Sequence, residues 1–182
     1  MKLCGCILAG GKSSRMGTPK EGVLMPDGRA MIEHAAAALR PLVDVLLVVG
    51  NSAGFDPAQI GATRIDDLRS DCGPLAAIEA ALNSGIGEHY LIVTCDQPRL
   101  TTDLLRLFTS PNVIGKATAL RDLGPFPCHL SATLGAEVTR ALDKGERSPR
   151  RFLQLCGARW ITAYPGAEAL VASVNTPDEL HK

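Results

Sequence analysis

The sequence is poor in aromatic residues, has no excess of charge of either sign and contains no long apolar run. Aromatics make up 4% of its 182 residues, too few for the stacking platforms that grip single-stranded nucleic acid. Lys plus Arg number 19 and Asp plus Glu number 19, so the formal net charge is zero. A general nucleic-acid binder needs a basic surplus, so no nucleic-acid partner is expected. No stretch approaches the roughly 20 uninterrupted apolar residues of a membrane span, and no membrane association is expected. The opening segment Met1–Lys12 looks superficially like a secretory signal, but its apolar part is short and meets a Gly/Ser/Arg loop in place of a cleavage site. The six cysteines (Cys4, Cys6, Cys72, Cys95, Cys128 and Cys156) include no CxxC pair. The four histidines (His34, His89, His129 and His181) lack metal-ligand spacing. Four of the cysteines lie in apolar or strand-like surroundings, which favours reduced, buried thiols in a cytoplasmic protein over a disulfide framework.

What is present describes a folded enzyme-sized unit. Apolar residues are 46% and charged residues 21% of the chain, which argues against disorder. The length suits a single domain over 1–182, with a core that needs neither disulfides nor metal. Apolar runs at Leu3–Leu8, Val43–Val49 and Tyr90–Cys95 read as buried parallel strands. Shorter strands are expected at Ala117–Leu120, Leu130–Leu134 and Arg159–Ala163. Helices are expected over Met31–Leu39, Pro74–Leu82, Thr102–Phe108, Gly135–Asp143 and Ser148–Leu155, with a short last one over Thr176–Leu180. Thr101 or Thr102 and Ser148 are suited to cap their helices. The alternation implies an α/β fold, a mainly parallel sheet flanked by helices. Ligands of such sheets bind outside the carboxyl ends of the strands. The segments Gly10–Lys20, Gly50–Asn51, Ile65–Gly73 and Asp96–Pro98 are therefore where chemistry is to be sought.

The richest of these is Leu8-Ala9-Gly10-Gly11-Lys12-Ser13-Ser14-Arg15-Met16-Gly17-Thr18-Pro19-Lys20. Glycines at a strand end let backbone N–H groups approach an anion. Arg15 offers a planar fork for phosphate and Lys20 a mobile point charge. A Walker A loop would need glycine at position 6, which is Cys6, and the dinucleotide spacing G-x-G-x-x-G also fails here. An ordinary strand-to-helix turn with surface charges is the plain alternative. Asp96 follows the apolar strand and is well placed to hold Mg²⁺ against phosphate oxygens, the plain alternative being a turn-stabilising Asp. The arginines of Gly145–Phe152 read as a solvated helix start or, more sharply, as a phosphate patch.

The glycine-rich segment resembles the L-A-G-G-x-S-x-R-M-G-x-x-K motif of the molybdenum cofactor guanylyltransferases, members of a larger nucleotidyltransferase group. Cys95-Asp96-Gln97-Pro98 is similar to that family's C-D-x-P, and Asp66 with Gly73-Pro74-Leu75-Ala76 to its D-x-(several)-G-P-L-A-G, with Ala77 in place of the last glycine. Val174-Asn175-Thr176-Pro177-Asp178-Glu179-Leu180 is similar to its N-x-N-T-P-E-E-L, with Ser173 in place of the first Asn. The resemblance implies a three-layer, Rossmann-like nucleotidyltransferase fold. It implies that Leu8, Ala9, Gly10, Gly11, Lys20, Asn51, Asp66, Asp96 and Asn175 bind nucleotide or cofactor. Arg15, Lys20 and Asp96 would be catalytic, and Asp96 would ligate Mg²⁺. The implied reaction transfers GMP from Mg·GTP to the terminal phosphate of molybdopterin, releasing pyrophosphate. The amino-terminal half would serve mainly the nucleotide and the carboxy-terminal half mainly the pterin. Implied partners are GTP, molybdopterin, and proteins of cofactor synthesis and molybdoenzyme maturation. Met16-Gly17-Thr18-Pro19-Lys20 leans toward the alternative of a CTP-using cytidylyltransferase. A non-catalytic nucleotide-binding relative is the other alternative.

Overall fold

Every residue of β1 (Leu3–Leu8) is buried. A strand can be apolar at each position only where both of its faces are covered. β1 lies between β2 (Val45–Val49) and β4 (His89–Thr94), parallel to both. β3 (Thr63–Ile65) extends the sheet beyond β2. β5 (Ala117–Leu120), β6 (Cys128–Ser131) and β7 (Arg159–Ile161) extend it beyond β4, giving the order β3-β2-β1-β4-β6-β5-β7. This computed structural model describes residues 1–10, 19–50, 52–110 and 113–181.

β6 runs antiparallel to β4 and to β5, and the other pairings are parallel. Its reversal follows from the short link after β5. Residues 121–127 are too few for the crossover that a parallel partner would need.

Side chains alternate across the sheet. Cys4, Cys6, Leu8, Tyr90 and Ile92 pack on one face with α2 (Pro74–Leu82), α4 (Gly135–Asp143) and α5 (Pro149–Leu155). Ile7, Val48, Leu91 and Val93 pack on the other with α1 (Met31–Leu39) and α3 (Thr102–Arg106). The result is three layers. The Thr101 hydroxyl accepts the Leu104 N–H at 3.3 Å, and the Ser148 hydroxyl accepts the Arg151 N–H at 3.3 Å, so both sequence-expected caps are made.

Some boundaries differ from the sequence reading. β2 begins at Val45, after Asp44 has bonded back to Leu3. The strand expected at Leu130–Leu134 is β6 at Cys128–Ser131, and Ala132–Leu134 is a 3-10 turn. The last expected helix is a 3-10 segment, Pro177–His181, in which the Glu179 carboxylate accepts the Asn175 and Thr176 N–H groups at 2.6 and 3.2 Å. A short α6 (Ala167–Leu170) was not expected.

Candidate active site

The carboxyl ends of β1 and β4 and the loop before α2 enclose a cavity of about 680 Å³. Ala9, Gly10, Lys20, Asp67, Gly73 and Asp96 are among its walls, with Leu8 beside them. The β1 end is fixed from both sides: the Ala9 N–H donates to Val49 O at 2.9 Å and the Cys95 N–H to Leu8 O at 3.1 Å. Gly50 makes this closeness possible. Its φ is 98°, and a Cβ there would stand 2.3 Å from the Ala9 carbonyl oxygen. Gly10 also has a positive φ, 94°, a region that non-glycine residues seldom adopt. A wider groove of about 850 Å³ is lined by Gly22, Leu24, Ala30 and the 52–59 loop that follows β2.

Asp96 is held on three sides. The Thr94 hydroxyl donates to its Oδ1 at 2.7 Å, and the Val174 N–H donates to its carbonyl at 2.8 Å. The Lys20 ammonium donates to its Oδ2 at 3.1 Å and to Asn175 Oδ1 at 2.5 Å. The side chains of Lys20 and Asp96 are each 20% exposed, so the pair is open on its cavity side. Three of the residues singled out in the sequence, from the phosphate loop, the β4 end and the carboxy-terminal motif, thus meet at one ammonium group.

Asp66 is not brought to this cavity. It is 75% exposed on its side chain and pairs with Arg64 at 2.7 Å. Alternation explains the placement, since residues two apart leave an extended segment on the same side. The next residue, Asp67, lines the cavity in its place. Burial raises the Asp67 carboxyl above its ordinary value, and the charge of Asp66 adds to the rise. The loop carrying Asp67 is tied down by Arg69, which bonds Glu79 of α2 at 2.8 and 2.9 Å and Asp143 of α4 at 2.6 Å. Gly11, Arg15 and Asn51, also expected here, lie outside the described residues.

Two residues were missed in the sequence. Gln97 is buried, and its amide donates to Val171 O at 2.7 Å and Phe126 O at 3.2 Å, tying the β4 end to the carboxy-terminal segments. Glu21 is buried beside Lys20 and lines the same cavity. The only sequence signal was their adjacency to Asp96 and Lys20.

The arginines of 145–152 lie on the side of the sheet that ends in β5 and β7. Arg147 donates to Leu142 O and Glu146 O, Arg151 pairs with Glu146, and Arg150 sits over the Trp160 ring at 5.7 Å. The helix-start reading accounts for them. All six cysteines are free, and burial raises the thiols of Cys4, Cys6, Cys95 and Cys128, which keeps them protonated. No described helix is long and apolar enough to cross a membrane.

Comparison with known proteins bears on what this cavity does. Residues 5–163 match the family model described as MobA-like NTP transferase domain. A molybdenum cofactor guanylyltransferase of Pseudomonas fluorescens is 34% identical, over 96% of this chain and 90% of its own. One of Pseudomonas paraeruginosa is 35% identical, over 97% and 91%. Among solved structures, molybdopterin-guanine dinucleotide biosynthesis protein A from Archaeoglobus fulgidus superposes with a TM-score of 0.73 at 21% identity, covering 100% of this chain and 95% of that one. The 2-C-methyl-D-erythritol 4-phosphate cytidylyltransferase from Thermus thermophilus superposes with a TM-score of 0.72 at 16% identity, covering 100% and 96%. These two structures share the fold.

Proposed function

The chain belongs to the molybdenum cofactor guanylyltransferases of the MobA-like NTP transferase family, and on that premise we propose that its strand-end cavity transfers GMP from GTP to the terminal phosphate of molybdopterin. A phosphate oxygen of molybdopterin forms the new bond to the α-phosphorus of GTP. The bond from that phosphorus to the bridging oxygen of the β-phosphate breaks, and pyrophosphate leaves with the electron pair. The attacking phosphate is already anionic, so the protein supplies no covalent nucleophile and no strong base. Its part is alignment and charge neutralisation.

The observation that carries this reading is the meeting of Lys20, Asp96 and Asn175, the first two of which line the cavity. Lys20 brings a cation to the triphosphate. Asn175 holds that cation through its amide oxygen, and Thr94 orients the Asp96 carboxylate. The donor set suits Mg²⁺. Asp96 presents a partly open carboxylate, Asp67 and Asp71 line the same cavity, and all three offer hard oxygen ligands. Among the described residues no cluster of three ligating side chains encloses a metal by itself. An ion there would be held by Asp96, with its remaining positions open to phosphate oxygens and water. Bound there, Mg²⁺ supplies neutralisation of the charge that builds on the phosphate oxygens. Asp96 would be its principal ligand.

Gly10 and Gly73 open the walls to the nucleotide, and Asp67 takes the acidic position beside it. We assign the pterin to the side bounded by Asn175 and the segments that Gln97 binds, which gives the two halves of the chain their separate substrates.

The test is a nucleotide panel. Each NTP is incubated with Mg²⁺, molybdopterin and the protein, and pyrophosphate release is followed. Release with GTP alone supports the reading. Release with CTP in place of GTP overturns the choice of base, and no release with any nucleotide overturns the transferase itself.

A further inference from the structure

Lys20 opens a 3-10 turn, Lys20–Gly22, and the next residue, Glu21, is only 2% exposed. Its Oε1 accepts the Gly54 N–H at 3.2 Å. A carboxylate is costly to bury without a cation beside it. Among the described residues this one has a backbone amide as its partner and faces the cavity that holds Lys20 and Asp96.

The backbones on either side of that bond are in contact. A Cβ on Gly22 would stand 2.3 Å from Gly54 O, and a Cβ on Gly54 would stand 2.6 Å from Pro19 Cβ. Side chains at 22 and 54 would wedge the two segments apart, so glycine at both positions lets them close. Glu21 then pins the turn carrying Lys20 to the loop that leaves the end of β2. That loop is itself fixed by the Phe55 N–H bond to Ser52 O at 3.0 Å.

We propose that Glu21 is a positioning residue for the transfer. Its carboxylate locks the Lys20 turn to the 52–55 loop, so that the ammonium reaches Asp96 and the triphosphate in one fixed register. Lysine has a long, mobile side chain, and a point charge on such a chain is useful in catalysis only if its base is held. This inference rests on the guanylyltransferase reading, because the register matters only if Lys20 serves a reacting phosphate.

The experiment compares wild type with Glu21→Ala, Glu21→Gln and Gly54→Ala. It follows GTP-dependent pyrophosphate release, with the folded fraction measured by circular dichroism at the assay temperature. In Glu21→Ala, kcat per folded molecule is expected to fall about 30- to 100-fold, the scale of a misplacement of roughly 1 Å. KM for GTP is expected to stay within about threefold, because Lys20 and Asp96 are both retained. Glu21→Gln keeps an oxygen for the Gly54 N–H and is expected to retain at least about half of kcat, since a hydrogen bond between neutral partners survives the change. Gly54→Ala leaves Glu21 in place but drives the segments apart, and it is expected to show the same fall in kcat; it carries the test if Glu21→Ala does not fold. Unchanged kcat in Glu21→Ala with an active wild type overturns the positioning role alone. Equal losses in Glu21→Ala and Glu21→Gln overturn it in favour of a role for the charge. A loss that follows only the unfolded fraction overturns it in favour of a purely structural role. A wild type inactive with every nucleotide overturns the transferase reading and this inference with it.

Discussion

Replacing Asp96 with asparagine removes one charge and almost no volume. Asn still presents an oxygen to the Thr94 hydroxyl, now at 2.7 Å from Asp96 Oδ1. The Lys20 ammonium, 3.1 Å from Oδ2, loses its anion but keeps Asn175 Oδ1 at 2.5 Å. At that separation and an effective dielectric of about 20, the gross attraction lost is about 5 kcal/mol. Both side chains keep a fifth of their surface in contact with water, 20% each. Desolvation and ordering costs offset much of the attraction in such a pair, leaving a net of about 1–2 kcal/mol between the values for exposed and buried pairs. A domain of this size should therefore melt only roughly 2–8 °C lower. The effect on transfer should be far larger. A group fixed against charge that develops in the transition state contributes about 10²- to 10³-fold, and Asp96 would also be the metal ligand. We expect Asp96→Asn to lose about 10³-fold in kcat with a near-native melting curve. The assay pairs pyrophosphate release with thermal unfolding on the same preparation. More than about a tenth of wild-type activity would refute the role of the carboxylate. A melting midpoint lowered by more than about 10 °C would refute the claim that the pair is worth little to the fold.

Asp67→Asn is expected to raise KM for GTP about tenfold, whereas Asp66→Asn, which removes only an exposed partner of Arg64, should stay within about twofold; steady-state kinetics of the two variants decide, and the reverse order would return the site to Asp66. Gln97→Leu leaves the Val171 and Phe126 carbonyls without their donor and should cost about 3 kcal/mol in urea unfolding. His129 is buried against His89, and burial first, then the charge of His89, lowers its imidazole to about 4. The unfolded chain takes up this proton near the ordinary value of 6.5 and the folded chain only near 4. Stability should therefore decline as pH falls through that window, by about 3 kcal/mol in full, and His129→Gln should flatten the decline in urea titrations.

The parts of the fold that were legible share a physical feature. β1, α1, α2, β5 and α4 have the limits read from the sequence because each is an apolar or helix-forming run stopped by glycine, proline or a polar turn. β3 has only three residues, too few for a period to show. The reversal of β6 depends on the length of one link and not on its own composition. Lys20, Asp96 and Asn175 were singled out through motifs that resemble the family's, and the fold brings the three together. Which of Asp66 and Asp67 faces the cavity was not legible, since it depends on the phase in which the chain leaves β3. Glu21 and Gln97 escaped for a related reason. Polar residues are usually solvated, and their burial is decided by segments distant in sequence, around Gly54 for one and Phe126 and Val171 for the other.

If this cavity joins the α-phosphate of GTP to molybdopterin, the transfer can be followed with GTP carrying a radiolabel on the α-phosphorus, incubated with Mg²⁺, molybdopterin and the wild-type protein. The label should move into a molybdopterin dinucleotide, with unlabelled pyrophosphate released in equal amount. Label that remains in GTP, or that appears as free GMP, would rule this transfer out.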